Sequence, residues 1–132
     1  MNREIKFRGR VKHSNEWKYG SLLTYADGEC NIITETGHRI DTWNVDPATV
    51  GQYTGLKDVN GVEIYEGDIV HFSFVNLHNQ DRNAYVFYKD GEWMCQSSEE
   101  CGPTCLFPGY KAGVFDIEVV GNIHDQGKEA KG

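Results

Sequence analysis

Turn signals cut this chain into short β-forming runs, and that punctuation constrains its fold more than any other feature. Asn60-Gly61 stands between Val59 and Val62, and Asp90-Gly91 between Lys89 and Glu92. The first pair predicts a two-residue hairpin turn with both central positions at positive φ. "ADGE" and "ETGH" mark further reversals. No segment sustains apolar residues at helical spacing over three turns, whereas period-two alternation recurs throughout. The expected fold is all-β, a small barrel or packed antiparallel sheets built from meanders and hairpins.

The runs "IKFRGRVK", "WKYGSLLTY" and "CNIIT" make a meander, and Gly9 reads as a bulge or a close approach. "RIDTWNV" follows and stops at Asp46-Pro47, since proline supplies no ladder donor. A short strand at "TVGQYT" leads to the turns around Asn60-Gly61 and Gly67-Asp68, and then to the long strand "YEGDIVHFSFV". The polar "NLHNQDRN" separates it from "AYVFYK" and "EWMCQS". "SEECGPTCLFPGYKAG" reads as a long irregular loop, and "VFDIEVVGNI" as the last strand. A break near Asp58 to Gly67 would give a β meander lobe over 1–57 and a half-barrel lobe over 58–125, with 126–132 as a flexible tail. One compact unit is the other arrangement open to 132 residues.

No apolar run approaches the roughly 20 residues of a membrane span. The start "MNREIKF" lacks the apolar core of a secretory signal, and the cysteines are unevenly spread, Cys30 alone and Cys95, Cys101 and Cys105 together. A reducing cytoplasm is the expected compartment. The net charge of −7 opposes non-specific attraction to nucleic acid or anionic lipid. That average hides an asymmetry: residues 1–20 hold Arg3, Lys6, Arg8, Arg10, Lys12 and Lys18 against only Glu4 and Glu16.

Lys6, Arg8, Arg10 and Lys12 alternate with Ile5, Phe7 and Val11, so the first strand has a basic face. With Trp17 and Tyr19 on the next strand, that face suits phosphates and stacked bases. It also suits the solvent side of an edge strand, or docking on the acidic remainder of a second copy. Solvation ranks first among these, self-association second and nucleic acid third.

Other chemistry fails on spacing. "KDVNGVE" resembles part of an EF-hand loop, but placing its glycine at Gly61 puts Leu56 at the first ligand position and Gly67 at the twelfth. A phosphate loop would need Lys-Ser or Lys-Thr after a glycine-rich run. "CGPTC" is one residue too long for a redox-active pair, and no helix follows it. Cys95, Cys101 and Cys105 are weak zinc candidates, needing His71, His78 or His124 as a fourth ligand at no familiar spacing. Glu63, Glu66 and Asp68, beside Tyr65, are the one carboxylate group suited to acid/base work. Neither these nor the scattered histidines assemble a catalytic constellation, so no enzyme activity and no cofactor are expected.

The segments "REIKFRGR", "EWKYGSLL", "DPATVGQYTGLKDVNGVEIYEGDIV" and "VVGNIHD" together resemble the YopX family of phage and prophage proteins. The central block is the most specific, with Gly51, Tyr53, Gly55, Asn60, Gly61, Tyr65, Glu66, Gly67 and Asp68 as structural positions. Residues 75–113 contribute little to the likeness. The resemblance implies an all-β, self-associating protein acting in the cytoplasm of a bacterial host, with no defined substrate or cofactor. The functional expectation is a non-enzymatic, self-associating module that meets an unknown host or phage protein, with nucleic-acid binding through Arg3, Lys6, Arg8, Arg10 and Lys12 as the alternative.

Overall fold

The computed structural model describes residues 4–74, 82–97, 104–105, 110, 113 and 115–125. The chain divides into two compact units, Met1–Gly55 and Leu56–Gly132. The division falls inside the central block, two residues before the boundary expected at 57.

The first unit holds β1 (Phe7–Arg10), β2 (Trp17–Thr24), β3 (Cys30–Thr36), β4 (Arg39–Val45), a 3-10 turn over Pro47–Thr49, and the start of β5 (Gly51–Lys57). Local turns explain the meander β1 to β4, but β1 is not the edge strand its basic alternation suggested. It lies between β2 and β5, with Phe7 opposite both Gly20 and Gln52 and Arg8 opposite both Tyr19 and Gly51. The pairing with β5 joins residues far apart in sequence, which local periodicity does not encode.

Asp46 ends β4 as expected: its carboxylate accepts from the Ala48 N–H at 3.1 Å and caps the proline turn. Val45 then bridges back to Val11, and the Asp46 N–H donates to the Arg10 carbonyl at 2.9 Å. Gly9 lies beneath this return, where a Cβ would stand 2.7 Å from Val45 Cγ2. The glycine is therefore a close approach rather than a bulge. Cys30, Ile32 and Val45 are buried on the inner face, with Phe7, Leu22, Trp43 and Val50 packed around them.

The second unit comprises the end of β5 with β6 (Glu63–Tyr65), β7 (Asp68–Phe74), β8 (Arg82–Lys89), β9 (Glu92–Ser97), β10 (Thr104–Cys105), β11 (Phe115–Asn122) and a 3-10 turn over Ile123–Asp125. Its core gathers Ile64, Val70, Phe72, Ala84, Val86, Cys95 and Ile117, with Leu56, Trp93, Tyr110 and Val119 against them. Thr104 and Cys105 pair with Cys95 and Met94, so part of the segment read as an irregular loop is a strand. The expected frayed tail over 126–132 lies outside the described residues.

The two turns built on Gly pairs differ. Asp90 and Gly91 both have positive φ, 54° and 83°, the mirror-image turn that matches strand twist. At Asn60-Gly61 only Gly61 does, at 83°. The Gly61 N–H returns to the Asp58 carbonyl at 3.0 Å and the Asp58 N–H donates to the Val62 carbonyl at 2.8 Å. The expected two-residue turn is thus replaced by a turn starting at Asp58 with Gly61 last. The Asp58 side chain is the cause, because it binds the N–H groups of both Asn60 and Val62.

Strand order is β4-β3-β2-β1-β5-β6 in one sheet and β10-β9-β8-β7-β11 in the other, all described pairings antiparallel. Neither closes among the described residues, which corrects the barrel alternative. In the first sheet, β5 takes the edge of β1 at Phe7 and Arg8, and just beyond it Val11 bridges to Val45 while the Lys12 N–H donates to the Asn44 carbonyl. No described helix is long and apolar enough to cross a membrane.

Candidate functional site

The basic strand is engaged within its own unit. Arg8 is 5% exposed, and its guanidinium lies 4.9 Å from the centre of the Trp17 ring, with that of Arg10 at 5.9 Å. Lys6 lies over Tyr53 at 5.4 Å and pairs with Glu4 at 3.3 Å. Lys18, on β2, sits 3.9 Å from the Trp43 ring. Such contacts favour a desolvated cation over an aromatic face. Arg8 is therefore not part of a solvent face; Arg3 lies outside the described residues.

Lys12 belongs to a polar network. Its ammonium donates to Glu29 at 2.7 Å, and the Asn44 amide reaches the same carboxylate at 3.3 Å and Asn31 at 3.0 Å. The hydrogen bond from Lys12, then that from Asn44, then the Lys12 charge hold the Glu29 carboxyl below its ordinary range.

In the central block, Gly51, Tyr53, Tyr65, Gly67 and Asp68 are buried, while Gly55 is exposed at a φ of 92°. The Asp68 carboxylate accepts from the Tyr65 N–H at 2.7 Å across the turn that contains Glu66 and Gly67. That turn breaks the extended run in which Glu66 and Asp68 would share a face. The Gly67 N–H donates to the Val86 carbonyl at 2.8 Å, and the Tyr65 hydroxyl donates to Glu63 at 3.0 Å. Asp58, which sequence reasoning did not single out, is 5% exposed and accepts from Asn60, Val62 and Val119. Its position ahead of Val-Asn-Gly was the available signal.

Of the zinc candidates, Cys95 is buried in the second core, whereas Cys101 and the Cys105 side chain fall outside the described residues. His71 faces Asn83, Nδ1 to Oδ1 at 2.8 Å. Among the described residues no group of three His, Cys, Asp or Glu is placed to hold a metal ion.

The feature that stands out instead is the outer face of the first unit's sheet. Tyr19 and Leu23 alternate on β2, Leu23 lies opposite Asn31 of β3, and Glu35 of β3 lies opposite Ile40 of β4. Directly opposed residues share a face, as do alternate residues along a strand, so Tyr19, Leu23, Ile33 and Ile40 lie on one side. Tyr19 is 47% exposed, Leu23 41% and Ile40 67%. Alternation on both faces of "WKYGSLLT" was the sequence signal for this surface.

These features define an all-β protein of two open antiparallel sheets, with the Asp58 and Asp68 carboxylates committed to backbone hydrogen bonds and large apolar side chains exposed among polar ones on the outer face of the first unit. The chain belongs to the YopX protein family, whose model matches residues 6–128. Its fold is similar to that of protein EF1440 from Enterococcus faecalis, at 21% identity and a TM-score of 0.61, over 97% of this chain and 99% of that one. It is also similar to protein YopX from Bacillus subtilis, at 17% identity and a TM-score of 0.58, over 91% of this chain and 93% of that one. No curated protein sequence matches the chain.

Proposed function

We propose that this protein is a non-enzymatic interaction module that associates with copies of itself and meets a host or phage protein, in the cytoplasm of a bacterium carrying the phage or prophage that encodes it. The observation that carries the reading is the exposure of Tyr19, Leu23 and Ile40, large apolar side chains that lie on one side of one sheet. The carboxylates best suited to acid/base work add support, since Asp68 and Glu63 hold the Tyr65 backbone and hydroxyl.

Light scattering on the eluting peak of a size-exclusion column tests the self-association. The expected mass is a multiple of 15.0 kDa. A strict monomer at high concentration and low salt overturns the reading. The nucleic-acid alternative draws less support, because ring and carboxylate contacts already hold Lys6, Arg8, Arg10 and Lys12. Retardation of DNA or RNA at low salt, lost as salt rises, would favour it instead.

A further inference from the structure

We infer that two copies of this chain join edge to edge through β4, antiparallel, with Ile40 on the two-fold axis. The inference rests on the self-association proposed above and names the surface that performs it.

Strand β4 ends the order of its sheet, laddered to β3 on one side and touched on the other only by the isolated Val45–Val11 bridge among the described residues. Near its C-terminus the other side is used: the Asn44 carbonyl accepts from the Lys12 N–H at 3.1 Å. Asn44 therefore turns its backbone groups away from β3. In an antiparallel ladder these directions alternate residue by residue, so Thr42 and Ile40 turn theirs outward too. Over Arg39–Thr42 that outer edge meets no described strand, and Ile40 is the most exposed large apolar residue of the described chain at 67%. An open edge with an apolar side chain is a template for another strand.

Charge selects both the occupant and the register. Arg39 and Asp41 flank Ile40, share the opposite face, and already pair within the strand, Nε to Oδ2 at 3.0 Å. Two-fold pairing centred on Ile40 sets Arg39 of one copy opposite Asp41 of the other, twice, giving four charges of alternating sign. The two Ile40 residues then exchange two N–H···O=C bonds, and their side chains meet on the outer face, opposite Glu35 and diagonal to Ile33. Centring on Asp41 would set carboxylate against carboxylate, which like-charge repulsion disfavours. The edge is complementary to itself in one register.

The full chain and three variants, Arg39→Asp, Arg39→Asp with Asp41→Arg, and Thr42→Pro, are compared by sedimentation velocity across a dilution series. Circular dichroism and thermal unfolding of each confirm that it folds. Arg39→Asp is expected to weaken association about tenfold, because the change acts twice across the axis. The double variant restores it by exchanging the signs. Thr42→Pro removes an outward N–H without touching the β3 ladder and weakens association as well. A wild-type oligomer whose mass and affinity no folded variant alters overturns the β4 interface while leaving self-association standing. A wild-type monomer overturns both.

Discussion

Asp58 and Val119 are joined by a hydrogen bond of 2.9 Å from the Val119 N–H to Asp58 Oδ2, across 61 positions of sequence. The other oxygen accepts from Asn60 and Val62 at 2.8 and 2.9 Å. One buried carboxylate thus shapes the turn before β6 and fastens it to β11, where the register with β7 shifts between Val119 and Gly121. The Val59 N–H adds a bond to the Ile117 carbonyl at 3.1 Å.

Asp58→Ala leaves three backbone N–H groups without this acceptor in a partly buried site. Hydrogen bonds to a charged group are each worth about 1.5–3 kcal/mol, and water recovers part of the loss, so destabilisation of about 3 kcal/mol is expected. Urea unfolding measures it; a change within about 0.5 kcal/mol, as for an ordinary surface position, would show the clamp to be inert.

Gly9→Ala places a methyl group 2.7 Å from Val45 Cγ2 and 2.9 Å from Val45 Cβ. Overpacking of this kind costs about 1–3 kcal/mol. Trimming the partner should make room, so a Gly9→Ala, Val45→Ala double variant is expected to lose less than the two single losses combined. A double-mutant cycle in thermal unfolding reads the coupling, and strict additivity would contradict the contact.

Gly61→Ala meets nothing within 4 Å, so its cost is conformational and follows from the φ of +83° alone. A loss of about 1–2 kcal/mol is expected, with Gly61→Asn milder because asparagine tolerates this region. Equal melting temperatures for alanine and asparagine at this site would speak against the assigned turn.

The Glu29 carboxyl titrates below its ordinary range because of Lys12 and Asn44. A depressed carboxyl contributes stability above its unfolded-state value and loses it as pH falls through the folded-state value. The contribution is thus present at neutral pH and disappears in acid. Lys12→Gln removes both the strongest hydrogen bond and the nearby charge, so Glu29 is expected to titrate closer to an ordinary glutamate. A pH titration of its side-chain carbon signal by NMR checks this; an unmoved midpoint would show that Lys12 is not the cause.

Much of the fold was legible along the chain. Period two and the turn residues were enough for the meander β1 to β4, the Asp46-Pro47 stop, the long β7 and the Asp90-Gly91 hairpin, because each is an interaction among near neighbours. The site was less legible. The alternation of Arg8 and Arg10 with apolar residues is the same pattern a solvent-facing strand would show, and nothing local reveals that Trp17 covers them. The exposed face was missed for the complementary reason: Tyr19, Leu23 and Ile40 lie on two strands that become one surface only through the register of β3 between them.

The sequence by itself determined the fold class, the meander, most turn positions and the family, since these follow from residue periodicity, backbone preference and an ordered motif. Tertiary structure alone decided that β1 is an interior strand, that the Asp58 carboxylate reaches β11, and that β4 ends its sheet with Ile40 outward. Those outcomes depend on contacts between residues distant along the chain, such as Phe7 with Gln52 and Asp58 with Val119, whose partners no local window contains.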